Sequence, residues 1–272
     1  MSNFADKYCE LIRENQPVSY LGLEFWPLTV RDYGLYLCAQ PAFELLQSSL
    51  PPKLARMSWG ACLKALDDQG GEETGWLSST LNVLARALRL QPQLAPDGGY
   101  MAYPIYPVYD SQTQELTAIH VGDFAVGFTT VIGVQDMDNI RQLIAAQNGY
   151  SIPDESWNPE LVRAAQENKS RQNQGIVFDL EALVHSTAVN MGVEPTKVWS
   201  WTIRDFKLTQ AAIDRKLNYC IYTLAEMVGI TQFKNGNPCP TWKFDRKAAL
   251  PTGFQSLSEL DARAKGLLTE TN

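Results

Sequence analysis

The stretch from Glu194 to Gly229 (EPTKVWSWTIRDFKLTQAAIDRKLNYCIYTLAEMVG) constrains the fold more than any other part of the chain. Pro195 suits the first turn of a helix, where its missing N–H leaves no bond unmade. Val198 and Trp199 give a short apolar face. Thr202 and Asp205 have the spacing of a weak capping box, so a second helix is expected to start there. From Ile213 onward, Leu217, Cys220, Ile221, Leu224, Ala225 and Val228 recur at helical steps and share one face at 3.6 residues per turn. Asp214, Arg215, Lys216, Asn218 and Glu226 fall elsewhere and can meet water. Gly229 closes the run, since glycine accepts positive φ without a Cβ penalty. The expectation is an amphipathic helix packed into a core. A helix that docks a partner would need the same face uncovered.

The rest of the chain is long enough for one large domain or two small ones, at 272 residues with 45% hydrophobic content. Acidic residues outnumber basic ones 30 to 23, for a net charge of −7. A field of that sign works against non-specific binding to nucleic acid or to a membrane surface. The first residues, Met1-Ser-Asn-Phe-Ala, carry neither the basic nor the apolar region of a signal peptide. No run approaches the ~18 apolar residues of a membrane span. Cys9, Cys38, Cys62, Cys220 and Cys239 are scattered and form no CxxC, and they read as reduced, mostly buried thiols of a reducing compartment. The sequon Asn168-Lys-Ser170 reads as chance.

In chain order, residues 2–15 read as a short helix with Phe4, Tyr8, Leu11 and Ile12 on one face. Residues 19–30 read as a strand pair or a bent strand interrupted by Pro27. Helical patterns follow from Val30 to Leu50, with Pro41 as a kink or break, from Lys53 to Leu66, and from Trp76 to Leu90. Asp67 to Gly71 reads as a loop. Tyrosine alternates with proline before Tyr109, and Leu116 to Val134 is rich in Val, Ile, Thr and Phe, so residues 97–135 read as a small antiparallel sheet with turns or bulges at Gly122-Asp123 and Gly127. Asp136 to Asn148 reads as a helix capped by Asp136 or Asp138, faced by Met137, Ile140 and Ile144, and ended by Gly149. Glu160 to Gln174 is polar almost all round, an exposed helix or a linker at a candidate boundary. Phe178 to Met191 is helical and closed by Gly192. Ile230 to Lys234 reads as a short strand, Asn235 to Pro240 as a rigid turn. The tail from Phe254 to Leu268 keeps helical spacing at Phe254, Leu257, Leu260, Ala264 and Leu267, with Ser256 and Glu259 as a capping box. The fold class expected is α+β, mainly α-helical. Residues 1–96 form an N-terminal helical unit with a short strand pair, 97–135 a small β element, and 136–272 a C-terminal helical unit.

No pattern for a serine hydrolase, a zinc protease, a phosphate-binding loop or a dinucleotide site occurs. His120 and His185 have no second ligand at metal spacing and read as structural. Cys239, between two prolines, has Lys243 and Arg246 near it in sequence but no histidine, and reads as a packed or idle thiol. The pairs Asp67-Asp68, Glu72-Glu73 and Asp154-Glu155 read as solvated loop charge rather than an acid/base pair. Trp242 and Phe244 alternate with basic residues, a pattern that nucleic-acid stacking surfaces share. Against the net acidity of the chain they read as inward-turned aromatics. No catalytic residue, cofactor or metal site is expected. The candidate partner-binding residues are Phe254, Leu257, Leu260 and Leu267 of the tail, with Trp242 and Phe244, because a terminal element is often loosely held until it docks.

Met137-Asp-Asn-Ile-Arg-Gln-Leu-Ile-Ala-Ala-Gln-Asn-Gly149, then Ile152-Pro-Asp-Glu and Asn158-Pro-Glu-Leu161, form one group of packing motifs. Trp201-Thr-Ile-Arg-Asp-Phe206, Lys216 to Tyr222 and Met227-Val-Gly-Ile form another, after Arg31-Asp-Tyr33. In this order they resemble proteins from the tail-morphogenesis region of tailed phages and prophages of Gram-positive bacteria, most nearly the tail assembly chaperones. The resemblance implies a non-enzymatic protein of the host bacterial cytoplasm that holds the long tape-measure protein until the tail tube polymerises around it. The partners it implies are tape-measure or other tail proteins. Homo-oligomerisation stays open, and neither nucleic acid nor membrane is expected. Chaperones of this family are often shorter, without the β element of this chain. The alternative is a structural subunit of the particle, in the baseplate, neck or tail.

Overall fold

The computed structural model describes residues 4–70, 75–95, 99–125, 127–155, 158, 160, 178–229, 233 and 237–243. They belong to two compact units, one built from 1–155 with 196–205, the other from 156–195 with 206–272. The architecture is mixed α+β, mainly helical, with small antiparallel sheets set among the helices.

The first unit opens with a 3-10 turn over Phe4–Tyr8 and a short helix α1 (Cys9–Arg13). A tight hairpin follows, β1 (Val18–Tyr20) against β2 (Leu23–Phe25). Its two turn residues, Leu21 and Gly22, both sit at positive φ, 54° and 74°, as a type I′ turn requires to match the twist of the strands. The interruption expected at Pro27 therefore falls after the hairpin, not within it. Thr29 and Asp32 make a reciprocal capping box over a 3-10 turn at Val30–Asp32, which leads into α2 (Tyr33–Phe43).

Pro41 lies inside α2 and does not break it. It sits in the last turn on the solvent side, so the carbonyl of Leu37 that loses its donor can turn to water instead of being buried unpaired. The single helix expected from Lys53 to Leu66 is two: α3 (Pro52–Ala55) and α4 (Trp59–Gly70). Arg56 to Ser58 separate them, and the carboxylate of Asp138 receives the Trp59 N–H at 3.4 Å. The helix α5 (Trp76–Ala87) is anchored from a distance in sequence: Asp67 accepts the backbone N–H groups of Trp76 at 2.8 Å and Leu77 at 2.9 Å. Asp67 and Asp68 thus belong to the last turn of α4 and not to a loop.

Two strands, β3 (Gln93–Leu94) and β4 (Met101–Ala102), form a separate small ladder. The larger sheet has the order β5-β6-β7, from Ile105–Tyr109, Leu116–Asp123 and Gly127–Gly133. Pro107 is tolerated because β5 is an edge strand. The register shifts between Val121 and Gly122, the bulge position expected there. Gly127 takes φ +100° after the β6–β7 turn.

The helix α6 (Met137–Asn148) packs Met137, Ile140, Leu143 and Ile144 into the core with Trp59, Leu63, Phe43 and Tyr36. Each such side chain contributes about 1.5–3 kcal/mol by leaving water. A Cβ on Gly60 would stand 3.2 Å from Met137 Cγ, so a glycine lets α4 and α6 approach. Neither Asp136 nor Asp138 caps α6. Asp136 instead accepts the Tyr20 hydroxyl at 2.9 Å, while Asp138 serves Trp59. Gly149 ends the helix at φ +70°. Residues 196–205 complete this unit, where Val30 N–H donates to Trp201 O at 2.9 Å and Ile203 N–H to Leu28 O at 3.0 Å.

In the second unit α7 (Leu180–Met191) is capped by Asp179, whose side chain accepts from Ala182 N–H at 3.0 Å. Gly192 closes it at φ +65°. The chain then runs through the 196–205 stretch of the first unit, with the single turn α8 (Pro195–Val198), into the long helix α9 (Ile203–Met227), which belongs to the second unit from Phe206 on. Thr202 Oγ1 accepts the Asp205 N–H at 3.2 Å, the side-chain cap that the sequence marks at this point. Gly229 follows α9 at φ +71°. Of the expected strand at 230–234 only Phe233 is described, and most of the polar segment 160–174 lies outside the described residues.

Candidate partner-binding face

At 100° per residue, Leu217, Cys220, Ile221, Leu224, Met227 and Val228 occupy about 120° of the circumference of α9. All but Met227 belong to the face that the helical periodicity assigns to a core, whose other two members, Ile213 and Ala225, are half-buried. The structure leaves it open: Leu217 is 50% exposed, Ile221 61%, Leu224 59%, Val228 63% and Met227 79%. Cys220, in the middle of the stripe, is exposed as well.

Three described residues after α9, Phe233, Asn237 and Cys239, lie against its other side. Phe233 meets Tyr222 edge-on, with ring centroids 5.7 Å apart. Asn237 donates its amide to Glu226 at 3.3 Å, and the Cys239 Sγ lies 3.6 Å from the Arg215 carbonyl oxygen. Arg215, Tyr222 and Glu226 stand roughly 140–180° round the helix from Leu217. Phe233, Asn237 and Cys239 therefore lie along the polar and aromatic back of α9, and among the described residues the aliphatic front stays exposed. Scattered exposed apolar residues need no explanation, but a contiguous stripe of this width does. A second, smaller apolar exposure sits on the first unit, where Leu94 and Met101 face each other across the β3–β4 ladder.

His120 is half-buried in β6 opposite Tyr106 and Val131, and His185 is exposed on α7. Glu155 accepts the N–H groups of Gln47 at 3.1 Å and Ser48 at 2.8 Å. Of the five thiols only Cys62 is buried, and Cys9, Cys38 and Cys220 are exposed, which corrects the expectation of mostly buried cysteines. Among the described residues, no three of His, Cys, Asp and Glu are grouped as a metal would need. No described helix is long and apolar enough to cross a membrane.

The most perturbed ionisable cluster lies in the core around α6. Burial pulls the Arg141 guanidinium down to about 10, against the opposing pull of Glu155 and Asp138. Burial also raises the Asp138 carboxyl and the Cys62 thiol. Such shifts mark catalytic candidates only when the group has work left to do. Arg141 is engaged with backbone carbonyls at Phe43 and Leu45, and Asp138 with Trp59, so the cluster reads as a packed polar staple.

Of the partner-binding residues expected from sequence, Trp242 is exposed, shortly after Cys239. Phe244, Phe254, Leu257, Leu260 and Leu267 lie outside the described residues. Sequence reasoning identified the α9 face itself but assigned it to a core. Comparison with protein-family models, with curated proteins and with solved structures finds no match.

Proposed function

We propose that this chain is a non-enzymatic binding protein of phage tail assembly, a chaperone that holds the tape-measure protein in the host bacterial cytoplasm. The observation that carries a binding role is the bare aliphatic front of α9. A helix presenting apolar residues at i, i+4, i+7 and i+11 offers the anchors that helix-in-groove recognition uses. A tape-measure protein is long and aggregation-prone, so its apolar surface needs shielding until the tube encloses it. The net charge of −7 keeps such a complex dispersed. The tail-morphogenesis resemblance supplies the identity of the client, and the α9 stripe supplies the means of holding it.

The test is quantitative mass spectrometry on purified mature particles and on a pull-down of this chain during assembly. A chaperone is absent from the particles and brings down a long tape-measure-like protein. Replacing Leu217 and Ile221 with Glu abolishes that capture. Fixed stoichiometry in the particle overturns the chaperone and makes the chain a structural subunit.

A further inference from the structure

We infer that, with no client bound, two copies of this chain pair through their α9 stripes, antiparallel about a two-fold axis. The inference goes beyond the client-holding reading: it concerns the chain alone and stands or falls without any tail protein.

Three observations carry it. The first is self-complementarity. Leu217, Ile221, Leu224 and Val228 follow one another at steps of four, three and four, a spacing that reads the same from either end. With the second copy turned end for end about the midpoint of the stripe, between Tyr222 and Thr223, Leu217 falls level with the partner's Val228 and Ile221 with the partner's Leu224. The operation is a two-fold, so each contact occurs twice and the assembly closes at two copies. Antiparallel packing also sets the two helix dipoles head to tail.

The second is charge. From Lys216 to Gly229 the only side chains charged at neutral pH are Lys216 and Glu226. Glu226 stands on the back of α9, roughly 160° from the middle of the stripe, so the pairing brings no carboxylates together although each copy carries a net charge of −7. Lys216 flanks the stripe and comes level with the partner's Gly229, at the helix end where backbone carbonyls favour a cation. Its methylene stem lies within reach of the partner's Met227 on the same flank.

The third is area. At their exposures the six stripe residues, Leu217, Cys220, Ile221, Leu224, Met227 and Val228, offer roughly 600 Å² per copy, so a pair withdraws about 1,200 Å² from water. That reaches the lower bound of specific interfaces and exceeds the ~800 Å² of incidental contacts. Phe233, Asn237 and Cys239 lie along the opposite side of the helix and take none of it. An interface at the low end of the size range, between copies of like net charge, makes a weak pair, with a dissociation constant on the order of 10 μM. Client and second copy then exclude each other, and the apparent affinity for a client falls by the fraction of stripes left open.

Sedimentation equilibrium of the full-length chain, without client, tests this at about 1 and 100 μM. The average mass is expected to rise from near one copy to about 1.8 copies, as that dissociation constant requires. Ile221→Glu puts two carboxylates on one flank of the paired helices, less than a turn apart, and should hold the mass at one copy at both concentrations. A wild-type chain that stays at one copy overturns the inference. So does a mass that climbs past two copies, and so does full pairing of Ile221→Glu.

Circular dichroism at about 1 μM shows whether Ile221→Glu folds, and should it not, a second measurement decides. In Leu217→Cys/Val228→Cys the two introduced thiols lie about 16 Å apart along one helix, too far for a disulfide within the chain. Mild oxidation should join position 217 of one copy to position 228 of the other, as peptide mapping reads. Links of 217 to 217 alone, the mark of parallel pairing, overturn the inference, as does the absence of links between copies. Because no client takes part in either measurement, pairing can fail while the chaperone reading stands, and the reverse.

Discussion

Arg141 on α6 donates two N–H groups to the carbonyl oxygen of Phe43, at 3.1 and 2.7 Å. A third bond, at 2.7 Å, goes to the Leu45 carbonyl. Phe43 is the last residue of α2, so one buried guanidinium satisfies the end of a helix whose final carbonyls have no partner of their own. Removing it leaves those carbonyls unpaired in the core. Arg141→Met should cost about 2–4 kcal/mol. Arg141→Lys should recover little of this, because an ammonium cannot reproduce the planar fork. Urea unfolding of the two variants checks it, and near-wild-type stability in Arg141→Lys would contradict the forked geometry.

The aromatic stack beside that helix end sets the response to alkali. Tyr150 stacks on Tyr36 and on Phe43, each at 4.2 Å between centroids. Burial pushes the phenols of both tyrosines far above their ordinary value of 10.0. Tyr20, Tyr33 and Tyr109 are raised too, again chiefly by burial. Native phenols therefore keep protons that the unfolded chain releases from about pH 10 upward, so stability is intact below that pH and falls as it rises. Arg141 acts in the opposite direction, since its folded pKa is depressed, but it is one group against several. Tyr36→Phe loses a hydrogen bond to Gly149 O at 3.2 Å, and should cost about 1 kcal/mol at neutral pH while flattening the alkaline decline. Chemical denaturation at pH 7 and above pH 10 measures both effects.

Asp67 caps a helix that starts nine residues after it. Asp67→Ala should destabilise the first unit by about 0.5–2 kcal/mol, since two N–H groups at the start of α5 lose their acceptor. Asp68→Ala, next to it, removes only an exposed pair with Lys64 and should stay within about 0.5 kcal/mol. Thermal melts of the two variants compare neighbours that the sequence alone treats alike.

The α9 stripe predicts an inversion of the usual cost of charge. Ile221→Glu and Leu224→Glu should change stability by no more than about 0.5 kcal/mol, as at other exposed positions. Both should weaken capture of a tail partner at least tenfold. A loss of several kcal/mol in urea unfolding would show the face to be buried after all.

Much of the local structure is legible in the sequence, and particular residues show where that stops. Gly149, Gly192 and Gly229 end their helices at positive φ, because only backbone conformation decides the matter and glycine announces it. The apolar face of α9 is equally readable, but whether anything covers it depends on chain hundreds of atoms away. Polar burial is the harder case. Gln147 donates to Phe25 O at 2.9 Å and Asn148 accepts from Leu28 N–H at 2.7 Å, partners more than a hundred residues earlier. Nothing near Gln147 or Asn148 distinguishes them from surface amides. Pro41 misled for the opposite reason, since the rule about helix breaking holds for interiors and this proline stands in an exposed last turn.

The pairing of Thr29 with Thr202 also governs when the first unit can finish folding. Translation delivers Leu28 and Val30 early, yet their backbone partners at Ile203 and Trp201 arrive only after the whole 156–195 excursion has been made. At ordinary elongation rates of 5–20 residues per second, the interval from residue 155 to residue 205 is about 3–10 s. Through those seconds a nascent chain holds a nearly complete core with one unzipped seam, and ribosome pausing anywhere in that window prolongs its exposure.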